Sequence, residues 1–103
     1  LIDNYIDDTV FTLFSKYPNI NFTIYTSTIS KQLKLDFEKY SKQYKNISLK
    51  TFKSSHDRFL IIDKKEIYHL GASLKDLGKK WFAFSKMSLN SLNLDDILHK
   101  LEV

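Results

Sequence analysis

One hundred and three residues, 43% apolar and 15% aromatic, suit one domain that buries roughly 60% of its unfolded surface around its own core. The absence of cysteine excludes a disulfide framework and a thiolate metal site and fits a cytoplasmic setting, and no apolar run approaches the roughly 18 residues of a membrane span. Sixteen basic against twelve acidic residues leave +4, a balance that favours a polyanion but, with lysines spread along the chain, does not locate a site.

The elements follow in order. Ile6, Val10, Leu13, Phe14 and Tyr17 recur at helical spacing, with Asn4 placed to cap the helix and Asp7 and Asp8 suited to the positive end of its dipole. Pro18-Asn19 ends it. Residues 21–26 are β-branched and aromatic and read as a strand. Leu33, Phe37, Tyr40 and Tyr44 mark a second amphipathic helix with Ser30 as its cap. Residues 48–52, 59–62 and 67–70 read as strands, and the short link Lys64-Lys65-Glu66 makes the last two an antiparallel hairpin. That link pairs Asp63 near Ile67, so Arg58 is expected opposite Ala72 and His56 opposite Leu74. Residues 81–84 read as a final strand whose Trp81, Phe82 and Phe84 fill the core, with base stacking as the alternative. Leu94, Ile97, Leu98 and Leu101 form the stripe of a closing helix. No repeat, low-complexity tract or linker interrupts residues 1–103, so they form one layered α/β domain with a mixed sheet flanked by helices. Because it opens at Leu1 rather than methionine, the expectation is a domain excised from a longer chain.

The chemistry concentrates in His56-Asp57-Arg58-Phe59-Leu60-Ile61-Ile62-Asp63. Alternation along a strand puts His56 and Arg58 on one face, about 7 Å apart. An imidazole able to act as nucleophile or proton carrier near neutral pH then stands beside a permanent phosphate clamp. Asp63, at the far end of the strand, suits a carboxylate that fixes the turn. His69 lies inside the second strand of the hairpin with no partner at ligand spacing and reads as a packing residue. Lys79-Lys80 reads as a solvated pair, and Asp3-Asn4-Tyr5 as helix capping at the border of the pocket. His56, His69 and His99 fall at no metal-ligand spacing, so neither metal nor cofactor is expected.

The spacing H-x-R-x4-D, with Gly71-Ala72-Ser73 following, resembles the H-x-K-x4-D signature of the phospholipase D superfamily. The wider pattern, including His56 to Asp63 and Gly71-Ala72-Ser73-Leu74-Lys75-Asp76-Leu77-Gly78-Lys79-Lys80, is similar to phospholipase D-like domains at the carboxyl end of phage and mobile-element DNA-binding proteins. The resemblance implies a phospholipase D-like fold and a metal-independent, nuclease-like phosphodiesterase working through a phosphohistidine. His56, Arg58 and Asp63 would be its catalytic set. It also implies a homodimer, since two histidines must meet at one site and this chain has one copy of the motif. Nucleic acid is the expected ligand, with a DNA-binding module in the preceding part of the full-length chain. Two positions depart from the family pattern. Arg58 replaces lysine, turning a compact charge into a planar fork. Leu74 stands where G-S-x-N would carry asparagine, leaving Ser73 and Lys75, with Lys86 further on, as the nearest phosphate ligands beside Arg58. The alternative implied by those departures is a catalytically degenerate domain that binds phosphate or nucleic acid, or mediates dimerisation; a third reading is a purely structural oligomerisation module.

Overall fold

A computed structural model of the chain describes residues 1–79, 81–87 and 91–102. They form three α-helices, five strands and one 3₁₀ turn, an α/β arrangement as expected.

Helix α1 (Asp8–Ser15) begins where Asp7 accepts a hydrogen bond from the Thr9 amide at 3.0 Å, so Asp7 is the cap and not Asn4. Val10, Phe11 and Phe14 are its buried face. Tyr17, expected on that stripe, lies past the helix end and is half exposed. Strand β1 (Phe22–Thr26) leads into α2 (Lys31–Ser41), where the Ser30 hydroxyl accepts from the Leu33 amide at 3.1 Å, as a cap should. Strand β2 (Ile47–Thr51) then pairs parallel with β1. Both crossovers place a helix on one face: α1 and α2 pack against each other and against β2. The core between them and the sheet gathers Leu1, Val10, Phe11, Phe14, Ile24, Leu33, Ile47 and Leu70. Phe14 stacks on Phe22 with ring centroids 3.9 Å apart, and Phe11 meets Phe37 and Tyr40. Full burial of Phe11 alone contributes about 2 to 3 kcal/mol.

The other half is antiparallel: β3 (Arg58–Ile62), β4 (Glu66–Leu70) and β5 (Phe84–Lys86). Residues 1–3 join the halves. On one side the Tyr25 amide donates to the Leu1 carbonyl at 2.7 Å and the Asp3 amide to the Tyr25 carbonyl at 2.9 Å. On the other, Ile2 and Phe59 exchange a pair of bonds at 2.8 and 2.9 Å. The order across the sheet is therefore β2, β1, residues 1–3, β3, β4, β5, with the first three parallel and the last three antiparallel. A central position for the opening residues is not visible from composition, since two apolar residues are too few to read as a strand.

Two expectations on the hairpin need correction. Arg58 lies opposite Leu70 and Ile62 opposite Glu66, a register two residues from the expected one. The reason is the turn: Asp63 and Lys64 both adopt left-handed backbone (φ 54° and 57°), and the Lys65 amide closes on the Ile62 carbonyl at 3.0 Å. The link is thus Asp63-Lys64-Lys65, and a shift of two keeps every side chain on its expected face. The last strand starts at Phe84, later than expected, because the Gly71 amide holds the Ala83 carbonyl at 2.8 Å and the Met87 amide holds the Ile67 carbonyl at 2.9 Å. Trp81 is left outside the sheet and fully exposed, and Phe84 is 65% exposed, so neither fills the core. Helix α3 (Ser91–Glu102) closes the chain with Leu94 buried. Among the described residues no helix is long and apolar enough to cross a membrane.

Candidate functional site

Residues 1–3, β1 and β2 all run toward one edge of the sheet. Because β3 is antiparallel to residues 1–3, it starts at that same edge, and β4 ends there. The connection from residues 1–3 leads to one side, into β1, whereas β3 enters on the other. A crevice at such a divergence is the common ligand site of open α/β sheets.

Asn4 braces this edge. Its Nδ2 donates to the Ser55 carbonyl at 2.9 Å, and its Oδ1 accepts from the Ser27 amide at 3.0 Å. Three chain segments are thereby tied at one side chain, and helix capping, the role expected of Asn4, is not what it does. The Ser55 hydroxyl donates to the Asp57 carbonyl at 2.9 Å, closing a bend that presents His56 to solvent. His56 therefore precedes the strand and does not share its alternation with Arg58, contrary to expectation.

Arg58 opens β3 on the face that carries Leu60 and the helices. Its Nη2 donates to the Gly71 carbonyl at 3.2 Å, while Nε is buried without a hydrogen-bond partner. A buried donor left unpaired carries a desolvation penalty of about 1 to 3 kcal/mol, which an acceptor reaching Nε would relieve. Gly71 is required beside it: a Cβ there would lie 2.6 Å from the Ala83 carbonyl oxygen.

Asp3 is fully buried. Its Oδ2 accepts from the Ser73 hydroxyl at 2.8 Å and from the Leu74 amide at 2.9 Å, and its Oδ1 accepts from the Tyr5 amide at 2.9 Å. The carboxylate thus pins the corner after β4 to the centre of the sheet. Ser73, a candidate phosphate ligand, gives its proton to Asp3 and accepts from the Lys75 amide at 3.4 Å as cap of the 3₁₀ turn Leu74–Asp76. Leu74 packs against the core. Lys75 stands in that turn, at the edge where Arg58 emerges.

The remaining candidates lie elsewhere. Asp63 sits in the turn at the opposite end of β3, five residues from Arg58 and about 16 Å along the strand. Lys86 points to that end too, its Nζ donating to Glu66 Oε1 at 3.1 Å, a bond that raises the ammonium pKa. Lys80 lies outside the described residues. His69 pairs opposite Phe59, meets its ring edge-on, and brings Nε2 to 4.0 Å from Asp57 Oδ1, on the sheet face opposite Arg58. It packs on Phe59, and its imidazole also approaches Asp57, the residue between His56 and Arg58.

The arrangement places Arg58 and the His56 bend at one end of the hairpin, with Lys75 in the turn that follows β4, and puts Asp63 and Lys86 at the other end. The sequence offers Asp3 and Asn4 only as capping residues bordering the pocket; their bracing roles rest on burial and on partners distant in the chain. No three His, Asp or Glu side chains among the described residues cluster as metal ligands. Compared with protein-family models, curated proteins and solved structures, the chain gives no match.

Proposed function

We propose that this domain binds the phosphodiester backbone of nucleic acid at Arg58 and His56, in the manner of a single-motif phospholipase D-like domain. The carrying observation is Arg58: one arm of its fork is fixed on the Gly71 carbonyl, and its buried Nε lacks an acceptor at the edge where His56 is presented. An anionic oxygen is the acceptor that a guanidinium binds best. Binding is favoured over turnover by what surrounds the pair. Ser73 is committed to Asp3, and Leu74 is packed into the core, so the polar partners that the family places near its histidine are not supplied.

Inorganic phosphate titrated into the ¹⁵N-labelled chain tests this. Shifts centred on Arg58 and Gly71, lost in Arg58→Ala, are the expected result; shifts confined to the Asp63 turn would overturn the assignment.

A second reading, metal-independent cleavage, is favoured by one observation: the exposed ring of His56 stands two residues from the clamp. In that reaction an imidazole nitrogen of His56 bonds to phosphorus as the ester oxygen leaves, the leaving oxygen takes a proton from His56 of a second copy, and water then hydrolyses the phosphohistidine. A homodimer that cleaves DNA in a chelator, and no longer does so as His56→Ala, would establish it. A wild-type dimer that binds DNA and cleaves none leaves binding as the function.

A further inference from the structure

We infer that Trp81 is a stacking platform for an unpaired base, so that the strand held at Arg58 is single-stranded. This rests on the phosphate-binding reading of Arg58 and adds what that reading leaves open, the form of the nucleic acid.

The placement comes through one residue. The Gly71 carbonyl accepts from Arg58, and the Gly71 amide holds the Ala83 carbonyl at 2.8 Å, so the clamp and the segment entering β5 share Gly71. Two residues, at most about 7 Å of chain, separate Ala83 from Trp81. The indole is fully exposed. A tryptophan bears the largest apolar surface of any side chain, and one wholly in water contributes nothing to the core. It borders a recess of about 630 Å³ whose walls include Leu77, Lys79 and Ala83. Charge chooses the occupant: Lys79 borders the same recess, Lys75 outweighs Asp76 with it along that segment, Arg58 lies at its root, and the chain as a whole is +4. Cations beside an exposed aromatic ring match a phosphate backbone with its bases turned outward. In a duplex the base faces are already stacked on one another, so such a ring selects a single strand.

The sequence contains one tryptophan, so tryptophan emission of the full chain, excited beyond the absorption of its six tyrosines, reports Trp81 alone. A ten-nucleotide oligothymidylate should quench it saturably, and a duplex of equal length should not. Trp81→Ala should weaken oligonucleotide binding about tenfold, Trp81→Phe should retain most of the affinity, and both should keep the phosphate-induced shifts at Arg58. Since the ring is fully exposed, neither change threatens folding. Oligonucleotide shifts at Arg58 without any change in Trp81 emission would overturn the platform and leave the clamp standing; equal quenching by duplex would overturn the strand preference. Emission that changes with protein concentration alone, as the mass doubles, would assign the ring to an interface between copies. Neither phosphate nor oligonucleotide moving Arg58 would remove the reading beneath, and this inference with it.

Discussion

The two ends of the β3–β4 hairpin carry similar charges and use them differently. At the turn end, Lys86 is paired with Glu66, and Asp63 and Lys64 occupy the left-handed backbone of the turn itself. An apolar cavity of about 610 Å³ lies alongside, lined by Leu13, Tyr17, Phe22, Leu60 and Leu98 among others. At the opposite end, Arg58 is anchored to backbone with Nε unsatisfied, His56 is held out by a closed bend, and a buried carboxylate organises the corner. Charge at the turn end completes the fold; charge at the other end is left over from it. Recognition is therefore expected where structural need is already met by something else, here by Asp3 and Asn4.

That contrast can be broken at Asp3. Asp3→Ala removes the acceptor for Ser73, Leu74 and Tyr5 together, and should lower stability by about 3 kcal/mol or more in urea unfolding. A loss below about 1 kcal/mol would mean that water satisfies these donors and that the carboxylate is not the organiser. Next in size is Gly71→Ala, where a methyl at 2.6 Å from the Ala83 oxygen forces the two segments apart. Thermal or urea unfolding should show a loss of about 1 to 3 kcal/mol, and a change in Trp81 emission without ligand should accompany it. Replacing Asp63-Lys64 by Asn-Gly sharpens the comparison from the turn end. Relief of left-handed backbone at Lys64 should raise stability by about 0.5 to 1 kcal/mol, while phosphate shifts at Arg58 stay as in the wild type. Lys86→Ala is the smallest change: it removes a solvent-exposed pair and should alter neither the unfolding midpoint beyond error nor phosphate binding. A loss of phosphate affinity in that variant would join the two ends functionally and undo the contrast.

Much of the fold was legible from local patterns. The helix around Val10 and Phe14, the Ser30 cap and the hairpin depend on neighbours in sequence, and periodicity and turn chemistry report neighbours. The central position of residues 1–3 depends on Tyr25 and Phe59, so no window around Ile2 contains the cause. Of the candidate site, the motif singled out Arg58, the proposed clamp, but the expected shared face with His56 was not legible, because the bend closed by Ser55 and Asp57 precedes the strand. Asp3 was not, because a carboxylate near a helix start reads equally well as a capping residue, and only burial distinguishes them. The environment of Trp81 failed for the opposite reason: an aromatic run resembles a core strand until one ladder bond at Gly71 shows that pairing begins after it.

The junction formed by residues 1–3 also bears on the order of events in folding. The β1–α2–β2 unit and the β3–β4–β5 meander each close through contacts between successive elements, which form quickly. Joining them requires Ile2 to meet residue 25 and residue 59 together, a long-range closure that brings its stabilisation late. Hydrogen exchange should then resolve two cooperative blocks with the amides of Ile2, Tyr25 and Phe59 at their seam. The residues that first define the chain would be the last to find their neighbours.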